Sequence, residues 1–255
     1  MESVNELNNN LVILYTKWAK QLDETSLTSD KYSNPYYVSI PENWSESKNR
    51  IMIVGEEGAG SWGCGKTKDE KSKIAYNSDI WNAHDIDKIQ QYNREQIDFQ
   101  CKLYKIHNNP EWYENRGFVK NKVFWQRFRK IFKMDATSVI WNNLDKIHSL
   151  SKRNRSFALF KKERESLHKT NIKILQEEIT LLKPTLIIFF GWHWNSLSYE
   201  LPEIYEELCK DWKKIAPIQT QDRTYIFSYH PNARKGKEYE NDLLKTVQDN
   251  LIKEQ

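Results

Sequence analysis

The sequence predicts an α/β fold, a three-layer αβα sandwich around a central four-stranded parallel sheet, and three observations predict it. Four short segments, 50–54 (RIMIV), 137–141 (TSVIW), 185–190 (TLIIFF) and 224–228 (TYIFS), are β-branched or aromatic and bounded by polar or glycine residues, as buried strands are. Stretches with helical spacing separate them, and such alternation implies parallel strands, right-handed crossovers and helices on both faces. Five of the eight glycines, Gly55, Gly58, Gly60, Gly63 and Gly65, follow the first of these strands directly. In a sheet of this kind ligands bind beyond the carboxyl ends of the strands.

Taken in chain order, residues 4–23 carry apolar positions at helical spacing in a polar background and are expected to form a helix. The first 45 residues read as a helical extension packed on a single domain that spans 1–255. Residues 26–49 are expected to be irregular, with Pro35 and Pro41 as breakers. After the first strand and its glycine loop, 79–107 and 119–134 read as helices, the second with large aromatics along one side. Helices are expected at 161–182 before the third strand, 194–213 before the fourth, and 237–252 at the end.

With 255 residues the chain can bury a full core. Its start has neither the basic region nor the apolar run of a signal peptide, and the longest apolar stretch, 186–190, is too short to cross a bilayer, so a cytoplasmic protein is expected. Cys64, Cys101 and Cys209 are far apart, odd in number and without CxxC spacing. They read as reduced thiols rather than a disulfide framework or a zinc or iron–sulfur site.

The net charge of +4 is modest but unevenly placed. From Lys146 to Arg164 the basic residues are Lys146, Lys152, Arg153, Arg155, Lys161, Lys162 and Arg164, against a single acid, Glu163. A second run, Lys120, Lys122, Arg127, Arg129, Lys130 and Lys133, interleaves Phe124, Trp125, Phe128 and Phe132. Arg234, Lys235 and Lys237 form a third. Any one of these reads equally well as the solvated face of an amphipathic helix; three together favour a polyanion partner, DNA.

The predicted rim gathers the chemistry. A glycine-rich loop lets backbone approach a ligand closely, and inside this one sit the adjacent carboxylates Glu56 and Glu57, suited to orienting a water or stabilising a cation. Beyond the second strand come Asn142, Asn143 and Lys146; an asparagine amide offers one acceptor and two donors, what reading a base edge requires, though asparagine also forms turns. Beyond the fourth strand His230 precedes Pro231, which fixes the backbone beside the imidazole.

A strand followed by GEEGAG, a strand followed by WNNLDK, the segment KPTLIIFFG, and a strand followed by SYHPNA, in that order, resemble the uracil-DNA glycosylase superfamily. The resemblance covers residues 50–236 and implies a uracil-DNA glycosylase-like fold and hydrolysis of an N-glycosidic bond in DNA. It implies that Glu57, or Glu56, takes the place of the water-activating residue. Asn143, with Lys146 three residues on, matches the base-reading Asn-x-x-Lys, and Asn142 is the fallback. By the same resemblance Gly55 lies at the base, His230 stabilises the departing base, and Asn232, Arg234 and Lys235 belong to the loop that enters the minor groove. Lys146, Lys152, Arg153 and Arg155 would hold phosphates. Trp62 and Tyr76 are candidates to stack on the flipped base. Gly58 stands where the family usually has proline, and no tyrosine follows to exclude bulky bases. The loop Gly58, Ala59, Gly60 therefore leaves room for an enlarged modified pyrimidine, such as those of some phage DNA, which would make the chain a defence enzyme. The cluster-binding cysteines of some branches are absent, so no cofactor and no metal are expected.

Two other classes stay open on sequence. Residues 60–67 (GSWGCGKT) match GxxxxGK[ST] after a strand, the pattern of a P-loop NTPase. Against it, five residues intervene between strand and motif, and no later strand ends in a magnesium-holding acid. A non-catalytic DNA-binding module of the same fold is the other.

Overall fold

The computed structural model describes residues 2–22, 25, 37–38, 40–55, 139–147, 149–150, 156–157, 161–168, 170–191, 194–210, 215, 217–229 and 236–252. The expected helices at 79–107 and 119–134 lie outside them. Helix α1, Val4–Leu22, starts at a capping box: the Glu6 backbone N–H donates to Ser3 Oγ at 3.3 Å, and the Ser3 N–H to Glu6 Oε2 at 2.8 Å. Its Leu7, Leu11, Tyr15, Trp18 and Leu22 fall on one face and are buried. Among the described residues no helix is long and apolar enough to cross a membrane.

Among the described residues the sheet has five strands rather than four. Strand β1, Ile51–Gly55, is flanked by β2, Ile140–Asn143, and β5, Leu186–Phe190; β7, Thr224–Ser228, lies beyond β5, and these four run parallel. The fifth, β6, Ile218–Gln219, pairs antiparallel with β7 through a turn in which the Thr220 N–H donates to the Arg223 carbonyl at 2.9 Å. Two residues are too few to show a period, which is why sequence reading passes over β6. A separate antiparallel pair joins β3, Ser149–Leu150, to β4, Ser156–Phe157.

Alternation along the strands builds two apolar clusters. Met52, Val54, Ile140, Ile187, Phe189 and Phe227 join α1 and the helices α3, Ile174–Leu182, and α4, Trp194–Glu200. Ile51, Ile53, Trp141, Ile188 and Ile226 join Leu243 and Val247 of helix α6, Lys237–Asn250. Helix α1 thus shares an apolar cluster with the sheet, α3 and α4.

Two expected long helices are each broken. Residues 161–182 form α2, Lys161–His168, and α3, with Asn171 between them at φ 53°, a left-handed conformation that asparagine adopts more readily than most residues. The 194–213 stretch divides into α4 and α5, Pro202–Lys210, because Pro202 has no N–H to continue α4 but suits the first position of a new helix.

Candidate functional site

The register of the sheet aligns four strand ends. Gly55 pairs with Asn143 on one side and Phe190 on the other, and Phe190 pairs with Ser228. Asn143, Gly55, Phe190 and Ser228 therefore form a row across the carboxyl edge, about 14 Å from end to end at the usual ~4.8 Å between strands.

Local structure fixes each exit from this row. At Gly55 a Cβ would lie 3.1 Å from Asn143 Oδ1, so glycine lets the amide pack over the strand end. The Leu144 N–H donates to the Gly55 carbonyl at 2.8 Å, carrying the pairing one residue past β2. Gly191, after β5, has φ 81° and donates its N–H to the Ser228 carbonyl at 2.8 Å, a conformation that side chains disfavour. At the end of β7 the Tyr239 hydroxyl of α6 meets Ser228 Oγ at 3.2 Å and accepts the Tyr229 N–H at 3.1 Å, pinning the chain one residue before His230.

Asn142 and Asn143 are strand residues, not members of a loop after the strand, because β2 lies two residues later than its apolar run indicates. Strand alternation sends their side chains to opposite faces. The Asn142 amide is committed: Nδ2 donates to Glu178 Oε2 at 2.8 Å, while Oδ1 accepts the backbone N–H of Asn143 at 2.8 Å and a hydrogen bond from Lys146 Nζ. Lys146 Nζ also donates to Glu178 Oε1 and Oε2 at 2.8 and 2.6 Å, and the Tyr15 hydroxyl to Glu178 Oε1 at 2.7 Å. Asn143 is the asparagine left over. It is 7 % exposed, and among the described residues no hydrogen bond engages its side chain.

Lys146 is a correction to the sequence reading. Expected as a surface phosphate contact, it is 3 % exposed with its ammonium against Glu178, and cannot reach a phosphate from there. Burial lowers its pKa against the opposing pull of Glu178, and burial first, then Glu178, raises that of Tyr15 well above the usual phenol range.

Beside Lys146 lies a cavity of about 30 Å³, lined in part by Asp145, Arg164, Thr170, Ser196 and Glu200 and large enough for an ordered water. Ser196 Oγ donates to Asp145 Oδ1 at 2.5 Å, and Arg164 Nε lies 3.6 Å from Asp145 Oδ2. Glu200 Oε2 accepts the N–H groups of Leu175 and Gln176 in the first turn of α3, at 2.9 and 3.4 Å. Burial nevertheless raises its pKa to about 8.

Of the residues singled out by sequence, the structure brings Gly55 and Asn143 together and places Asn142 and Lys146 behind them. Glu56, Glu57, Trp62, Tyr76, Lys152, Arg153, Arg155, His230, Asn232, Arg234 and Lys235 lie outside the described residues. Sequence reading missed Glu178, although a glutamate at a core position of α3, four residues after Ile174 and four before Leu182, is a visible anomaly. It also missed Tyr15 and Tyr239, which no local pattern distinguishes. Comparison with protein-family models and with curated proteins gives no match to this chain.

Proposed function

We propose that the chain is a DNA glycosylase of uracil-DNA glycosylase-like αβα fold, which flips a base out of DNA and hydrolyses its N-glycosidic bond, leaving an abasic site. The observation that carries this reading is the row Asn143, Gly55, Phe190, Ser228. Glu57 is two residues past Gly55, and His230 two past Ser228. Two residues span at most ~7 Å, and the strand ends they leave are about 10 Å apart, a separation that allows both side chains to meet one sugar–base unit.

The chemistry follows from those places. The target nucleotide must leave the stack before its sugar–base bond is accessible. The Asn143 amide, with donors and an acceptor to offer, reads the edge of the flipped base. His230 stabilises negative charge as the base departs with the electrons of the broken C1′–N bond. Glu57, or Glu56 beside it, stabilises the oxocarbenium-like sugar and orients the water whose oxygen bonds to C1′. The proton released by that water balances the base anion. Glycine at 58 and 60 adds no side-chain bulk beside a bound base, so the substrate we propose is uracil or, in preference, an enlarged modified pyrimidine, in a cytoplasmic enzyme that acts in defence against phage.

The test is base release, read as alkaline cleavage of the abasic product, from duplex and single-stranded DNA containing uracil, hydroxymethylcytosine, glucosylated hydroxymethylcytosine or alkylated purines. Release from one substrate, lost in Glu57→Gln and His230→Ala, is expected. DNA binding with an intact panel would replace the enzyme by a binding module, and ATP hydrolysis lost in Lys66→Ala would replace it by a P-loop NTPase.

A further inference from the structure

Two adjacent asparagines end β2, and the structure uses one to hold the other. In the parallel register the N–H of Leu144 points to β1, so that of Asn143, one residue earlier, points away from it. Among the described residues β2 is the edge of its sheet. The outward N–H of Asn143 is met instead by the side chain of its own neighbour, Asn142 Oδ1, at 2.8 Å. That oxygen also accepts from Lys146, and its amide nitrogen is held by Glu178 of α3, whose carboxylate also takes the Tyr15 hydroxyl of α1. All four side chains are buried, so none of these bonds has ready exchange with water.

We propose that Asn142, Lys146 and Glu178 are positioning residues that set the backbone of Asn143, and through it the direction in which the Asn143 amide faces over Gly55. Its consequence for base recognition rests on the glycosylase reading; its structural part does not. The buried ion pair is then a brace between α3 and the rim, with Asn142 as the strut that touches the base-reading residue. Gly55 completes the arrangement, since any larger residue would press on Asn143 Oδ1.

The experiment measures amide hydrogen exchange residue by residue in the full chain, and base release on the same preparations. Asn142→Ala is expected to speed exchange at the Asn143 N–H at least tenfold while Leu144, bonded to Gly55, keeps its protection. The swapped pair Asn142→Asp with Glu178→Gln retains one amide and one carboxylate beside Lys146 and is expected to restore protection at Asn143. On the base panel, the single variant is expected to change the ratio of kcat/KM between substrates, which uniform loss of folded protein cannot do, and the swap to return that ratio toward wild type. Unchanged exchange at Asn143 in Asn142→Ala overturns the proposal, as does a swap that behaves like the single variant. Should Asn142→Ala not fold, the swap alone decides, with wild-type protection at Asn143 in support and its loss against. A wild-type chain that releases no base overturns the glycosylase reading and leaves the exchange result standing.

Discussion

Glu200 ends α4 with its carboxyl fully buried, where the loss of hydration outweighs the two N–H groups it accepts and its pKa rises from 4.5 to about 8. Between those values the folded state keeps a proton that the unfolded chain has released. Stability is therefore unpenalised below pH 4.5 and falls as pH rises toward about 8, with a limiting slope of ~1.4 kcal/mol per pH unit for one proton. Glu200→Gln retains an oxygen for Leu175 and Gln176 but cannot ionise. Thermal melts of the two proteins should coincide at the acid end and separate toward pH 8, the wild type melting lower; parallel curves would mean that Glu200 already ionises freely. Gly55 gives a second residue-scale test. A methyl there would press on the tip of the Asn143 side chain at 3.1 Å and meet the Asn142 carbonyl oxygen at an ordinary 3.9 Å, so Gly55→Ala should change Tm little, yet on the glycosylase proposal lower kcat/KM for base release by roughly tenfold, about 1.4 kcal/mol, by displacing Asn143. A large fall in Tm with kcat/KM intact in the folded fraction would contradict that assignment.

Elements were legible where a period repeats. The β1, β5 and β7 segments and α1 stand within a residue or so of where apolar spacing puts them, and α1 ends only one residue early. The failures have local causes. Asn171 and Pro202 interrupt runs whose apolar spacing continues across them, and in β2 the two asparagines disguise the end of a strand because asparagine is depleted in strands. What holds them there is tertiary: the Lys146–Glu178 pair spans 32 residues and joins the turn after β2 to α3. Removing one partner strands a buried charge, so Lys146→Met should cost about 3–5 kcal/mol, whereas Lys146→Met with Glu178→Leu should recover most of it. Denaturant titrations of the three proteins measure this, and equal losses in single and double variants would show that packing, not charge, dominates. On α1, Leu11 is fully buried, and Leu11→Ala should cost about 2–5 kcal/mol by the same measurement.

At the scale of the whole molecule the sequence disclosed the order and direction of the strands at the candidate site better than the packing behind them. The rule that ligands bind beyond parallel strand ends needs only strand order and direction, and the register bears out that Asn143, Gly55 and Ser228 share one edge. The brace behind that edge was unreadable because Tyr15 and Glu178 lie 163 residues apart, and nothing local marks them as partners. The same blindness made Lys146 look like one more cation of the basic run, when folding turns it inward. That difference has a measurable consequence for DNA. Each phosphate contact contributes a slope of about −0.9 to log K against log salt on duplex DNA, or about −0.7 on a single strand. If Lys152, Arg153 and Arg155 lie along the phosphates, replacing all three by alanine should flatten the slope by up to about 2.7 on a duplex. The folded double variant Lys146→Met with Glu178→Leu should leave the slope unchanged, because a cation that never meets solvent releases no counterion. Fluorescence anisotropy over a salt series separates the cases. An unflattened slope in the triple variant would take that segment off the DNA path, and a flattened one in the double variant would mean that Lys146 turns outward when DNA binds.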